Sequence, residues 1–175
     1  MTGTLSARFA CAGAAAFFIL AGSAQPIAAP APPPPPPDLV IDLPAGLACA
    51  GFGLRVEIWG NPNRVYRQFL DRNGNIVRML SAGKGNTLAF TNVSTGEQLW
   101  LQPNGAVGQV VLNLDGSYTE TDTGHNVLVL FPTDVPAGPS TTLYVGRIVY
   151  TVDASGVYTL QRVSGTSTDI CAALK

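Results

Sequence analysis

The side chains from which acid–base chemistry is built gather in one stretch, as Tyr118, Glu120, Asp122 and His125, the last being the chain's one histidine. Glu120 and Asp122 stand two apart on a segment that reads as a strand. Their side chains then point the same way, about 7 Å apart at the backbone, within the range glycosidases use. General acid catalysis needs one of the two carboxyls raised in pKa by burial, and nothing apolar near in sequence supplies it. Tyr118–Thr123 is nearly all polar and reads as an exposed edge or rim strand whose charges discourage pairing with another chain. His125 has Asp122, Asp134 and Ser140 near it in sequence, but no Gly-x-Ser-x-Gly elbow exposes a nucleophile. It reads as a polar residue in a turn entering the apolar run Val127–Phe131.

Metal and cofactor chemistry is poorly provided for. Asp71-Arg72-Asn73-Gly74-Asn75 opens like a calcium loop, but Ile76 stands where the turn glycine belongs and Ala82 where a bidentate glutamate belongs. A hairpin turn with a bulge accounts for the same residues. One histidine and a pair of oxidised cysteines make no zinc site, and there is no glycine-rich phosphate loop, so no cofactor is expected. Trp59 and Trp100 fall on the polar side of otherwise clean alternations. An exposed indole there would offer a flat apolar face to a sugar ring or a partner protein; the alternative is that this second face is covered as well.

The elements that must position these residues are strands. Turn signals recur about every ten residues: Asn61-Pro62-Asn63, Asp71-Arg72-Asn73-Gly74, Gly83-Lys84-Gly85, Ser94-Thr95-Gly96, Pro103-Asn104-Gly105, Asp115-Gly116 and Ala154-Ser155-Gly156. Between them apolar residues alternate. Leu54, Val56 and Ile58 oppose Arg55, Glu57 and Trp59; Leu88 and Phe90 oppose Thr87, Ala89 and Thr91; Leu99 and Leu101 oppose Gln98 and Trp100; Val110, Leu112 and Leu114 continue the series. Val127–Phe131 and Leu143–Val152 are apolar on both faces and belong at the centre. The expected fold is all-β, an antiparallel meander of about eight to ten strands closed into a barrel or sandwich. Almost no helix is expected beyond a turn near Thr168–Leu174. The proline-bearing link 132–140 is expected to break the meander and carry the chain across an open end.

The N-terminus reads as an export signal. Residues 1–24 have one positive side chain, Arg8, then an apolar stretch too short for the roughly 20 residues that span a bilayer, then Gly22-Ser23-Ala24 as a cleavage site. Residues 25–37 form a Pro/Ala-rich linker of polyproline II character, and 38–175 a single domain. Cys11 leaves with the signal, and Cys49 and Cys171 remain to form one disulfide across the domain in an oxidising compartment. Without Arg8, nine basic side chains face eleven acidic ones, a net charge of −2, and no basic patch suits nucleic acid or an anionic membrane.

Leu43–Cys49, Asp71–Arg78, Gly124–Asp134 and Thr168–Cys171 together resemble small exported proteins of actinobacteria, uncharacterised and with no known activity. The resemblance covers the folded domain and implies an exported location and the Cys49–Cys171 pairing. The expected function is non-catalytic: a secreted β domain binding an extracellular protein, a glycan or other envelope component, or a lipid or similar small apolar ligand, sharpest as a lipocalin-like barrel. The alternative is a small extracellular hydrolase using Tyr118, Glu120, Asp122 and His125.

Overall fold

The computed structural model describes residues 35–175; the export signal, its cleavage near Ala24 and most of the proline run lie outside the described residues. Pro35–Lys175 forms one compact unit. Its strands are β1 (Leu39–Leu43), β2 (Leu54–Trp59), β3 (Val65–Leu70), β4 (Ile76–Lys84), β5 (Thr87–Asn92), β6 (Gln98–Leu101), β7 (Gly105–Leu112), β8 (Tyr118–Leu130), β9 (Ser140–Val152) and β10 (Tyr158–Asp169), followed by one helical turn, α1 (Ile170–Ala173). All strand pairings in the sheets are antiparallel. They form a four-stranded sheet A, in the order β1-β2-β5-β6, and a six-stranded sheet B, in the order β10-β9-β8-β7-β4-β3. Among the described residues neither sheet closes on itself, so there is no closed barrel.

The expected alternation holds in sheet A. Leu54, Val56 and Phe90 are buried, and Leu43, Ile58, Leu88, Leu99 and Leu101 pack against them. Val127, Val129 and Leu143 of sheet B close the same core, joined by Ile170 and Leu174 from the C-terminal turn. The Cys49–Cys171 disulfide lies in this core, spanning 122 residues of sequence with Cα atoms 5.6 Å apart. Asp169 caps α1 by accepting from the Ala172 N–H, and Asn92 Nδ2 donates to the Leu174 carbonyl, so the last residues are tied to β5.

A second buried cluster sits on the other face of β8 and β9: Leu128, Leu130, Ile148, Tyr150 and Val152. Leu130 is paired with Ser140, eight residues along β9 from Ile148. In a flat sheet that is about 26 Å, so the sheet must fold over. Between the two groups Gly124, Gly146 and Gly165 stand side by side on β8, β9 and β10, each with positive φ. A Cβ on any of them would collide with the backbone oxygen of Gly105, Ser164 or Val145 respectively. Glycine alone permits the close approach and the sharp turn of the sheet at this line.

Three expectations are corrected. Tyr118–Thr123 is not an edge: it pairs with β7 on one side and β9 on the other, in the middle of sheet B. Asp122 is buried there, Tyr118–Thr121 are half-buried and Thr123 is exposed. The link 132–140 breaks nothing, since β8 and β9 are adjacent partners. Asp134 fastens it, its carboxylate accepting from the Phe131 and Tyr158 N–H groups. The chain instead changes sheets at Asn61-Pro62-Asn63, Gly83-Lys84-Gly85 and Pro103-Asn104-Gly105, which follow strands whose sheet the next strand does not join. Leu114, read as the end of a buried series, is fully exposed in the β7–β8 turn.

Candidate functional site

The three crossings meet at one end and are stitched together there. Asn61 N donates to Asn86 Oδ1 (3.2 Å) and Asn61 Nδ2 to the Gly85 carbonyl (3.4 Å); Gly85 N donates to the Asn104 carbonyl (2.7 Å). Because the links are short, sheet A and sheet B are held apart at this end, and a cleft of about 530 Å³ opens between them. Its apolar wall is Leu88, Leu101, Val127 and Leu143, a continuation of the core. Trp100 and Tyr66 add aromatic surface, and Arg64, Asn86, Gln102, Asn104, His125 and Asn126 supply polar groups.

Two of these polar groups matter most. Asn104 Nδ2 and His125 Nε2 lie within hydrogen-bond reach, 3.3 Å apart. Asn126 Nδ2 is buried and has no hydrogen-bond partner, the one such side-chain atom among the described residues. A buried amide without a partner costs about 1–3 kcal/mol.

Glu120 and Asp122 point elsewhere, into the concave side of sheet B. Asp122 is 8 % exposed. Its backbone partner is Gly108, whose missing side chain makes the room: a Cβ there would meet Asp122 Oδ1 at 2.8 Å and Ser81 Oγ at 2.9 Å. Ser81 accepts from Arg64 Nη2 at 2.9 Å. Burial pushes the Asp122 carboxyl up to about 7, the neighbouring Glu120 adds to this by charge and by hydrogen bond, and Arg64 opposes it. Burial and the same carboxylates also hold the Tyr150 hydroxyl well above its ordinary value. A smaller cleft of about 280 Å³, lined in part by Gln68, Met79, Val110 and Glu120, lies beside the pair. Sequence reasoning found no source of burial for these acids; Ser81, Gly108 and Arg64 arrive through the β3–β4–β7 register, which leaves no local signal.

The four residues with acid–base side chains are therefore divided. Tyr118 packs on the second core, its hydroxyl pushed up to about 12 chiefly by burial. Glu120 and Asp122 stand together on β8, where Glu120 helps to raise the Asp122 carboxyl, and His125 is bound to Asn104 in the other cleft. These four residues do not converge on one site. Among the described residues no three His, Cys, Asp or Glu side chains are grouped to hold a metal ion. Asp71 spends its carboxylate on its own turn, accepting from the N–H groups of Asn73 and Asn75, and β3 carries a bulge between Phe69 and Leu70.

Trp59 and Trp100 come together on the outer face of sheet A, stacked with ring centroids 5.1 Å apart and planes inclined by 28°. Trp100 is 44 % exposed. Trp59 Nε1 donates to the Pro35 carbonyl at 2.9 Å. No helix among the described residues is long and apolar enough to cross a membrane. No family model, no curated protein and no solved structure matches the chain.

Proposed function

We propose that this is a secreted, non-catalytic binding domain of sandwich type that holds a short glycan of the cell envelope in the cleft between its sheets. The observation behind the reading is the lining of the cleft, where the Asn86, Gln102, Asn104 and Asn126 side chains stand with His125, Tyr66 and Trp100. Sugars present closely spaced hydroxyls on one edge and apolar C–H faces on the other. Side-chain amides beside an indole match both. A lipid carrier would need a lining with few polar groups and an enclosed cavity, and this cleft is open and amide-rich.

Export is part of the same reading. Residues 1–24 are the signal, 25–37 the linker, and the exported proteins of actinobacteria are the resembled group; the buried Cys49–Cys171 bond is what an oxidising compartment favours. Titration with N-acetylated amino-sugar disaccharides and neutral disaccharides, followed by tryptophan fluorescence, tests the binding. Saturable binding that weakens at least tenfold in Asn126→Leu supports it. Saturation by fatty acids or by a protein partner, with no response to any sugar, contradicts it.

A hydrolase centred on Glu120 and Asp122 is the second reading, favoured by the buried, proton-retaining Asp122. Against it, His125 does not join the two carboxyls but lies in the other cleft. Detectable turnover abolished by Asp122→Asn would favour the enzyme over the binding domain.

A further inference from the structure

The outer face of sheet A holds a second arrangement, which meets the cleft at Trp100. Trp59 ends β2 and Trp100 lies on β6, with β5 between them. The residue of β5 paired with Trp100 is Ala89. By alternation Ala89 faces outward, yet it is fully buried. The stacked indoles flank it and make an aromatic shelf over a small-residue floor. Along the end of β2 runs the start of the described chain. Asp38 N donates to the Ile58 carbonyl, and the Asp38 carboxylate accepts from Gly60 N at 2.7 Å. This fixes Pro35, Pro36 and Pro37 beside Trp59, whose indole N–H is taken by the Pro35 carbonyl.

That contact has a chemical logic. A proline segment in the polyproline II form makes no internal hydrogen bonds, so every carbonyl is free to accept. It has no N–H to offer, so a protein reads it with indole N–H donors and flat aromatic surfaces. Trp59 supplies the donor, and the 44 % exposed Trp100 supplies open aromatic surface next to it.

We propose that the Trp59–Trp100 shelf is a recognition site for proline-rich segments in the polyproline II form, with Pro35–Pro37 of this chain as an exchangeable occupant. The ligand is a proline-rich segment of another chain, which displaces the resident prolines. Occupancy by the chain's own prolines makes the site self-masking: a competing segment must exceed the effective concentration of a tethered one.

The test uses the full chain with Pro35→Gly, Pro36→Gly and Pro37→Gly, and a dye-labelled peptide Pro-Ala-Pro-Pro-Pro-Pro-Pro-Pro, the sequence of residues 30–37. Fluorescence anisotropy reads binding, and circular dichroism verifies the fold of every variant. Saturable binding to the glycine variant is expected, at least tenfold tighter than to the unaltered chain. Adding Trp59→Phe, which keeps an aromatic ring but removes the N–H, should weaken it at least tenfold, and adding Asn126→Leu should leave it unchanged. A folded glycine variant that does not bind, equal affinity for both chains, or indifference to Trp59→Phe each overturns the proposal. Loss of sugar binding in Asn126→Leu with peptide binding retained separates this site from the cleft.

Discussion

Replacing Asp122 by asparagine should make the protein more stable at pH 8 and remove most of the pH dependence of its stability. The carboxyl is buried at 8 % exposure and holds its proton up to about pH 7, against an ordinary value of 3.8. Below pH 4 the group is protonated whether the chain is folded or unfolded, and it contributes no pH dependence. Between about pH 4 and pH 7 the folded state retains a proton that the unfolded state has released, so stability falls as pH rises. Above pH 7 both states are ionised and the loss is complete. The difference of about three pH units corresponds to about 4 kcal/mol, a large share of the roughly 5–15 kcal/mol that holds a domain folded. Asparagine imitates the protonated acid in size and carries no charge to bury. Urea unfolding at pH 4.5 and pH 8.5 on both proteins is the assay. The unaltered chain should be markedly less stable at the higher pH and Asp122→Asn nearly equal at the two. Equal stability of the unaltered chain at both values, or an Asp122→Asn protein that remains equally pH-sensitive, would refute the burial argument.

Replacing both Cys49 and Cys171 by alanine opens a 122-residue loop. Loop-closure entropy puts the loss at about 5 kcal/mol, and for a domain of this size the melting temperature should fall by roughly 15 °C, read by circular dichroism. Gly146→Ala must push a methyl group into the Ser164 carbonyl on β10; a destabilisation of about 2–4 kcal/mol in urea unfolding is expected, with Gly156→Ala, whose turn has open space, costing less. Gly108→Ala places its methyl against Asp122 and Ser81 and should displace the acid pair, seen as a lowered pH midpoint in the same urea titration. Asn104→Ala removes the partner of His125 Nε2; sugar affinity should drop several-fold in the fluorescence titration while the melting temperature changes little.

Much of this architecture was legible residue by residue. Leu54-Arg55-Val56-Glu57-Ile58 announces a half-buried strand because the period-two pattern is local, and the disulfide follows from two cysteines at the ends of the folded region. The polar strand Tyr118–Thr123 misled because its burial comes from elsewhere. Gly124, Gly146 and Gly165 turn the sheet over, and each looks unremarkable until the register aligns them. Gly83-Lys84-Gly85 was legible as a turn but not as a change of sheet. The difference between a hairpin and a crossing lies in which strand accepts β5, and β2 sits 28 residues before β5 in the chain. The cleft is a product of those crossings, so its residues carried no shared signal, although His125 and Trp100 stood out individually by type. The Trp59–Trp100 pair was visible as two indoles on a polar face; that they stack, and that Pro35 caps one of them, depends on sheet order.

A glycan site between the sheets can be read residue by residue by following the side-chain amide resonances of Asn126 and Asn104 by NMR while amino-sugar disaccharides are added. The Asn126 amide signals should move and saturate with the ligand, with those of Asn104 following. Shifts confined to the Trp59 indole or the Glu120–Asp122 region, with Asn126 stationary at saturation, would contradict it.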